Sequence, residues 1–97
     1  MSILVRYSPV GLTRQQYDEV TRRIEEAGAW PPDGLQLHVL FGAEGDLKVS
    51  EIWESPEQLR AFGEQLLPVL NEVGVQVAGE PEVFEVHEFE QPGTTTA

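Results

Sequence analysis

Three residues in this sequence, His38, Glu51 and Trp53, have the types and the spacing that a chemical site needs. His38 lies in an apolar-rich run, Leu35–Phe41, and the other two lie at the end of a second run, Leu47–Trp53. If the two runs pair as antiparallel strands, the alternation of side chains places all three on one face. A carboxylate beside an imidazole fixes the imidazole tautomer, which suits a general base, and an indole can stack on a planar substrate.

The turn between the two runs sets their register. Gly42–Asp46 is short and polar, and Gly45 can adopt the positive φ that a tight hairpin turn needs. A two-residue loop, Glu44-Gly45, and a four-residue loop, Ala43–Asp46, give the same register. The predicted cross-strand pairs are Leu40 with Val49, His38 with Glu51, and Gln36 with Trp53.

These residues also have ordinary structural interpretations, which the sequence leaves open. His38 has aliphatic neighbours and could be a hydrogen-bonded histidine of the core, with Glu51 as half of a cross-strand ion pair. Trp53 could be a core residue only. Trp30 lies in a proline-containing loop before the hairpin, where it could cap the core, cover a pocket or fill an oligomer contact.

Two capped helices flank the hairpin in sequence. The first begins at Thr13, where Thr13-Arg14-Gln15-Gln16 fits a capping box, and ends at Gly28. Its apolar stripe consists of Tyr17, Val20, Ile24 and Ala27. Tyr17 is interpreted either as a core residue with its hydroxyl at the edge or as a hydrogen-bond donor in a pocket.

The second helix begins after Ser55, with Pro56 at its first position. Its apolar stripe consists of Leu59, Phe62, Leu66 and Val69 or Leu70. Pro68 falls inside this stripe and cannot donate to the carbonyl of Glu64, which predicts a kink or a restart there.

Two further strands are predicted at Ser2–Tyr7 and Glu82–Glu90. In the second of them, His87 shares a face with Glu85, and we predict that His87 contributes to substrate binding. Two histidines and a glutamate could hold a metal ion, but no close ligand motif such as H-x-H is present. No metal site is therefore predicted.

Composition limits the function classes. The 97 residues suit a single domain, residues 1–90, followed by a disordered tail, 91–97, that has no core residue. The formal net charge of −11 argues against binding to nucleic acids or anionic membranes. The absence of cysteine excludes disulfides, thiolate metal sites and a cysteine nucleophile. Neither a signal peptide nor an apolar run of about 20 residues is found, so a cytoplasmic location is expected.

The order strand, helix, strand, strand, helix, strand predicts an α+β, ferredoxin-like βαββαβ fold. In that fold two helices pack on one face of a four-stranded antiparallel sheet. The strand that holds His38 carries apolar side chains on both of its faces, and two helices can cover only one face of the sheet. We therefore predict a homodimer joined sheet to sheet.

The segment Glu51-Ile52-Trp53-Glu54-Ser55, directly before a capped helix, resembles a recurring E-x-W-E/D-S/D strand end. This feature is typical of the antibiotic-biosynthesis-monooxygenase-like branch of the dimeric α/β-barrel superfamily, and the similarity in element order spans residues 2–90. The resemblance implies a homodimeric barrel. Some members oxidise polycyclic aromatic compounds without a cofactor, while others degrade haem, isomerise or cyclise small substrates, or have no known activity. The resemblance also implies that Trp53 lines a pocket between the sheet and the helices.

Three functional hypotheses follow. The first is a cofactor-free monooxygenase, isomerase or cyclase that takes a proton from a flat, largely apolar substrate, with His38 as base and Glu51 as its partner. The substrate-binding residues would be Trp53, Tyr17, Phe62 and His87. The second hypothesis is a non-catalytic ligand-binding or interaction module with the same dimer. A haem-binding variant, with His38 or His87 as axial ligand, is a weaker third.

Overall fold

The computed structural model describes residues 1–92, so the predicted tail lies outside the described residues apart from Gln91 and Pro92. This part of the chain follows the predicted order of strands and helices. The elements are β1 (Ile3–Tyr7), α1 (Arg14–Glu26), β2 (Leu35–Ala43), β3 (Asp46–Trp53), α2 (Pro56–Val73) and β4 (Glu82–Glu85).

The strands form one antiparallel sheet in the order β2-β3-β1-β4. The core lies between the helices and one face of this sheet, which we call the inner face. Ile3, Val5 and Trp53 of the inner face pack with Ile24 of α1 and Phe62 of α2. Because both helices contribute to this one cluster, the predicted ferredoxin-like α+β fold is confirmed.

The hairpin register agrees with the prediction except at one end. Leu40 pairs with Val49 and His38 pairs with Glu51, as predicted. The predicted pairing of Gln36 with Trp53 is wrong, because a bulge between Leu35 and Leu37 makes Leu35 the partner of Trp53. The extra residue turns Leu35 towards the core and leaves Gln36 exposed, so a leucine is buried in place of a glutamine.

The first helix is held at both ends by the predicted signals. The Thr13 hydroxyl accepts from the Gln16 amide at 3.1 Å, and the Gln16 side chain accepts from the Thr13 amide at 3.1 Å. Gly28, with φ of 71°, follows the last turn in the left-handed conformation that suits glycine. The cap fixes where α1 starts, and hence which of its side chains face the sheet.

The second helix runs through Pro68 as a single element, so the predicted restart does not occur. A proline removes one backbone hydrogen bond, and the stripe on either side of it keeps its packing. Leu66 and Val69 contact the main core cluster, and Leu70 contacts a smaller cluster around Leu12. No helix within residues 1–92 has the length and apolar character needed to cross a membrane.

The last strand is shorter than predicted. We expected Glu82–Glu90, but β4 ends at Glu85, which pairs with Ile3, the first residue of β1. Beyond that pair, β1 offers one further bond, from the Val86 amide to the Ser2 carbonyl at 3.0 Å. A strand at the sheet edge has one neighbour only, so it ends where that neighbour ends.

The other face of the sheet, which we call the outer face, points away from both helices. A row of apolar side chains crosses all four strands there, in the order Leu37, Ile52, Leu4 and Phe84. Phe84 is 49% exposed, and Val39 beside the row is 40% exposed. Ile52, in the middle of the row, is only 6% exposed, so the apolar groups that remain open to solvent lie mainly towards the ends of the row and beside it.

We predict that Thr13→Ala lowers the free energy of unfolding by about 1 kcal/mol, because the first turn of α1 then loses its capping acceptor. Gln15→Ala, at an exposed position of the same turn, is the matched control and should change stability by much less. Urea unfolding followed by circular dichroism measures both variants. Equal stabilities for the two would contradict the role of the cap.

Candidate functional site

A cavity of about 280 Å³ lies between the inner face and the two helices. Side chains from both helices, such as Ile24 and Phe62, make most of its wall apolar. Polar side chains also reach it, among them Tyr7 of β1, Tyr17 of α1, His38 of β2 and Glu51 of β3. An apolar cavity with a few placed polar groups is the usual form of a small-molecule site.

Four side chains beside this cavity form a continuous hydrogen-bonded chain, which we call the relay chain. The Tyr17 hydroxyl lies 2.6 Å from His38 Nε2. His38 Nδ1 lies 2.6 Å from Glu51 Oε2, and the indole N–H of Trp53 donates to Glu51 Oε1 at 3.0 Å. The β2–β3 register places the histidine opposite the glutamate, and strand alternation brings the indole to the same face.

The relay chain determines which nitrogen of His38 carries the proton. Glu51 is 4% exposed, and no other polar residue among residues 1–92 is buried. An ionised carboxylate only accepts hydrogen bonds, so His38 Nδ1 must carry the proton that points at it. The other nitrogen, Nε2, then has a free lone pair and accepts the Tyr17 O–H. The basic nitrogen is therefore directed towards a phenol that lines the cavity.

Trp30 packs against the imidazole of His38 and is itself packed on Phe62. The Trp30 ring meets the His38 ring edge-on, with centroids 5.1 Å apart and planes at 80°. Trp30 also packs on Phe62 at 6.2 Å, and both line the cavity. Of the roles left open for Trp30, it therefore caps the core edge and covers the pocket.

The structure places Trp53 behind the cavity wall and not on it. Its side chain is 0% exposed and packs on Phe62 with centroids 5.7 Å apart. A residue without exposed surface cannot touch a ligand in this conformation, which corrects the expectation taken from the family resemblance. Trp53 reaches the site through Glu51, whose carboxylate it helps to hold.

His87 lies apart from the other predicted site residues. It follows the end of β4, is exposed, and is not among the residues that border the cavity. His87 was expected there because the last strand was predicted to continue past it. Across residues 1–92, no three acidic, histidine or cysteine side chains are grouped so that they could hold a metal ion.

Tyr7 borders the cavity but is not among the site residues predicted from the sequence. It ends β1 opposite Val49, on the same face as Val5, which pairs with Glu51. Burial, and then the negative charge of Glu51, raise the pKa of the Tyr7 phenol far above its ordinary value. Its place beside Ile3 and Val5 was predictable, but its approach to the site depends on β1 lying next to β3.

The order of the elements and of the strands in the sheet defines the fold class of this protein. It has the ferredoxin-like fold of the antibiotic-biosynthesis-monooxygenase-like proteins, as the resemblance implied. No protein-family model matches the sequence, and no curated protein matches it either.

Solved structures supply the individual comparisons. SnoaB from Streptomyces nogalater, a cofactor-independent oxygenase, is 15% identical in a mutant form with a TM-score of 0.61, over 91% of this chain and 94% of that chain. A candidate antibiotic biosynthesis monooxygenase from Deinococcus radiodurans is 15% identical with a TM-score of 0.58, over 94% and 97%. A haem-degrading protein from Mycobacterium tuberculosis is 18% identical with a TM-score of 0.51, over 94% and 100%. At these identities the similarity establishes the fold alone.

We predict that the free energy of unfolding falls as the pH rises above the ordinary tyrosine pKa of 10.0, because the pKa of Tyr7 is raised in the folded state. Above that pH the unfolded chain releases a proton that the folded chain retains, which costs up to about 1.4 kcal/mol per pH unit. Tyr7→Phe should therefore show a shallower loss of stability than the unmodified protein in urea titrations between pH about 9 and about 11. Identical slopes would mean that Tyr7 titrates normally.

Proposed function

We propose that this protein is an enzyme that binds a flat, largely apolar small molecule in the cavity and removes a proton from it. The main support is the relay chain, which directs a lone pair of His38 to the Tyr17 hydroxyl at the cavity while a buried carboxylate binds the opposite nitrogen. A histidine bound in this way combines a fixed tautomer with a partner for the charge that it gains, as a general base requires.

The proton passes through Tyr17, because the Tyr17 hydroxyl occupies His38 Nε2. The substrate O–H or activated C–H gives its proton to the Tyr17 oxygen as Tyr17 gives its own to Nε2. The products of this step are a substrate anion and an imidazolium ion, and the imidazolium is stabilised by the Glu51 carboxylate 2.6 Å away. This step needs no cofactor.

The anion is the point from which oxygenation by dioxygen, isomerisation and cyclisation diverge. Among these, cofactor-independent oxygenation has the support of the similarity to SnoaB. A non-catalytic ligand-binding module of the same fold is the competing function, and it would leave the bound molecule protonated. Haem binding has less support, because both ring nitrogens of His38 have partners and His87 lies outside the cavity. Haemin added to the protein should therefore produce no shift of its Soret band.

We also propose that the protein forms a homodimer through the outer face. The apolar row from Leu37 to Phe84 supports this, because two copies of such a row can cover each other when the sheets stack. A chain of this size has a small core and gains stability from the additional burial.

The first test uses 6-hydroxy-1-tetralone, a flat bicyclic phenol whose conjugated phenolate absorbs at longer wavelength than the phenol. Below the probe's own pKa, the unmodified protein should bind it as the phenolate and produce that band. His38→Asn should bind the probe without the band, since asparagine can form hydrogen bonds but cannot take the proton. Gln36→Ala, at an exposed position of the same strand, is the control and should keep the band. A band that persists in His38→Asn would remove His38 from the mechanism.

The second test concerns assembly. Light scattering at micromolar concentration should give the mass of a dimer, and Val39→Lys should shift it to that of a monomer, because a charge cannot be buried unpaired between stacked sheets. Val10→Lys is the matched control, since Val10 is 53% exposed and lies outside the sheet. A monomer mass for the unmodified protein would contradict the proposal.

A further inference from the structure

The hydroxyl of Tyr7 borders the cavity and has no hydrogen-bond partner among the described residues, 1–92. It forms no hydrogen bond with another residue of 1–92, whereas the Tyr17 hydroxyl is bound to His38. No fully buried side-chain nitrogen or oxygen in this part of the chain lacks a partner, so the unpaired Tyr7 oxygen must be accessible from the cavity. Polar groups in such surroundings are normally bound, and leaving one unbound is costly.

Strand order determines where Tyr7 stands relative to the base. His38 lies on β2 and Tyr7 on β1, with β3 between them, so their backbones are about 10 Å apart across the sheet. They are also offset along the strands, because Tyr7 pairs with Val49 and His38 pairs with Glu51. A ligand between them meets Tyr17, which is bound to the base, on one side and the Tyr7 hydroxyl on another.

We infer that Tyr7 donates a hydrogen bond to an oxygen of the bound substrate, at a point remote from the proton that His38 removes. This inference rests on the proposed function. Tyr7 suits the role because burial and the charge of Glu51 raise its pKa, so that its phenol stays protonated, and able to donate, beyond the ordinary tyrosine pKa of 10.0. A donor at a fixed position stabilises an oxygen most when negative charge develops on it.

The two contacts define a substrate class. The molecule has an acidic hydroxyl at the His38 end and a carbonyl oxygen at the Tyr7 end, joined through a flat conjugated ring system. Removal of the hydroxyl proton then spreads negative charge onto the carbonyl oxygen. Tyr7 then stabilises the substrate anion, and Glu51 stabilises the protonated His38.

The test compares two probes of the same skeleton. 6-Hydroxy-1-tetralone has the conjugated carbonyl, and 5,6,7,8-tetrahydro-2-naphthol lacks it. Tyr7→Phe should weaken binding of the ketone by about tenfold to a hundredfold and leave the affinity for the naphthol unchanged, because only the ketone can accept from Tyr7. Calorimetric titration measures both dissociation constants. Gln36→Ala is the control and should change neither.

Folding of the variant is checked separately. Tyr7→Phe removes an unpaired hydroxyl and keeps the ring, so its melting temperature should equal or exceed that of the unmodified protein. Tyr17→Phe, which breaks the bond to His38, should melt lower. A large loss of stability in Tyr7→Phe would mean that its hydroxyl has a structural partner, and would overturn the inference.

The remaining outcomes separate this inference from the proposed function. Equal weakening of both probes by Tyr7→Phe, or no effect on either, would overturn the role of Tyr7 while the phenolate band could still identify His38 as the base. Selective weakening of the ketone, with a band that survives in His38→Asn, would support Tyr7 and reject the proposed function. Failure of the unmodified protein to bind either probe would overturn both.

Discussion

The buried carboxylate of Glu51 is the constraint on which the site depends. An ionised carboxylate removed from water is strongly unfavourable unless donors replace its hydration. Here the donors are His38 Nδ1 and Trp53 Nε1, one on each oxygen. The same two bonds that make the burial tolerable fix the imidazole tautomer and orient Nε2. The hydrogen bonds that stabilise the buried Glu51 carboxylate are therefore the same ones that orient His38.

The rest of the fold holds this arrangement in place. The β2–β3 pairing sets His38 opposite Glu51, and the neighbouring bulge buries Leu35 against the core without disturbing that pair. The cap at Thr13 positions α1, which carries Tyr17 to Nε2. An aromatic ring from the loop before β2 covers the imidazole. The hairpin thus forms the bond between His38 and Glu51, and α1 and the loop before β2 supply the other contacts to His38.

The hairpin half of this site could be predicted from the sequence, because a glycine turn and side-chain alternation are local rules. Those rules predicted the pairing of His38 with Glu51. They could not predict how deeply a side chain is buried, so the resemblance placed Trp53 on the cavity wall although its side chain is fully buried behind that wall. They also missed Tyr7, whose approach to the site depends on β1 pairing with β3. The sequence around His87 alternates as a strand would, but β4 ends at Glu85, which pairs with Ile3, the first residue of β1. Because the length of the neighbouring strand limits how far an edge strand extends, His87 lies outside the sheet.

Uncharged tyrosine side chains beside the cavity suit the proposed chemistry better than lysine or arginine side chains would. The proposed transfer of a substrate proton to His38 would create an anion and an imidazolium inside a cavity of low polarity, and each charge would need a partner. A buried lysine or arginine beside the anion would also compete with His38 for the buried carboxylate of Glu51 and would release His38 from its orientation. Arg6 borders the cavity but is exposed to water, and ion pairs outside the relay chain engage four other basic residues, Arg14, Arg22, Arg23 and Lys48. In the proposed mechanism Tyr17 carries the proton and Tyr7 stabilises the anion. Neither displaces the base from its carboxylate, because an uncharged phenol pairs with a carboxylate far less strongly than an imidazolium does.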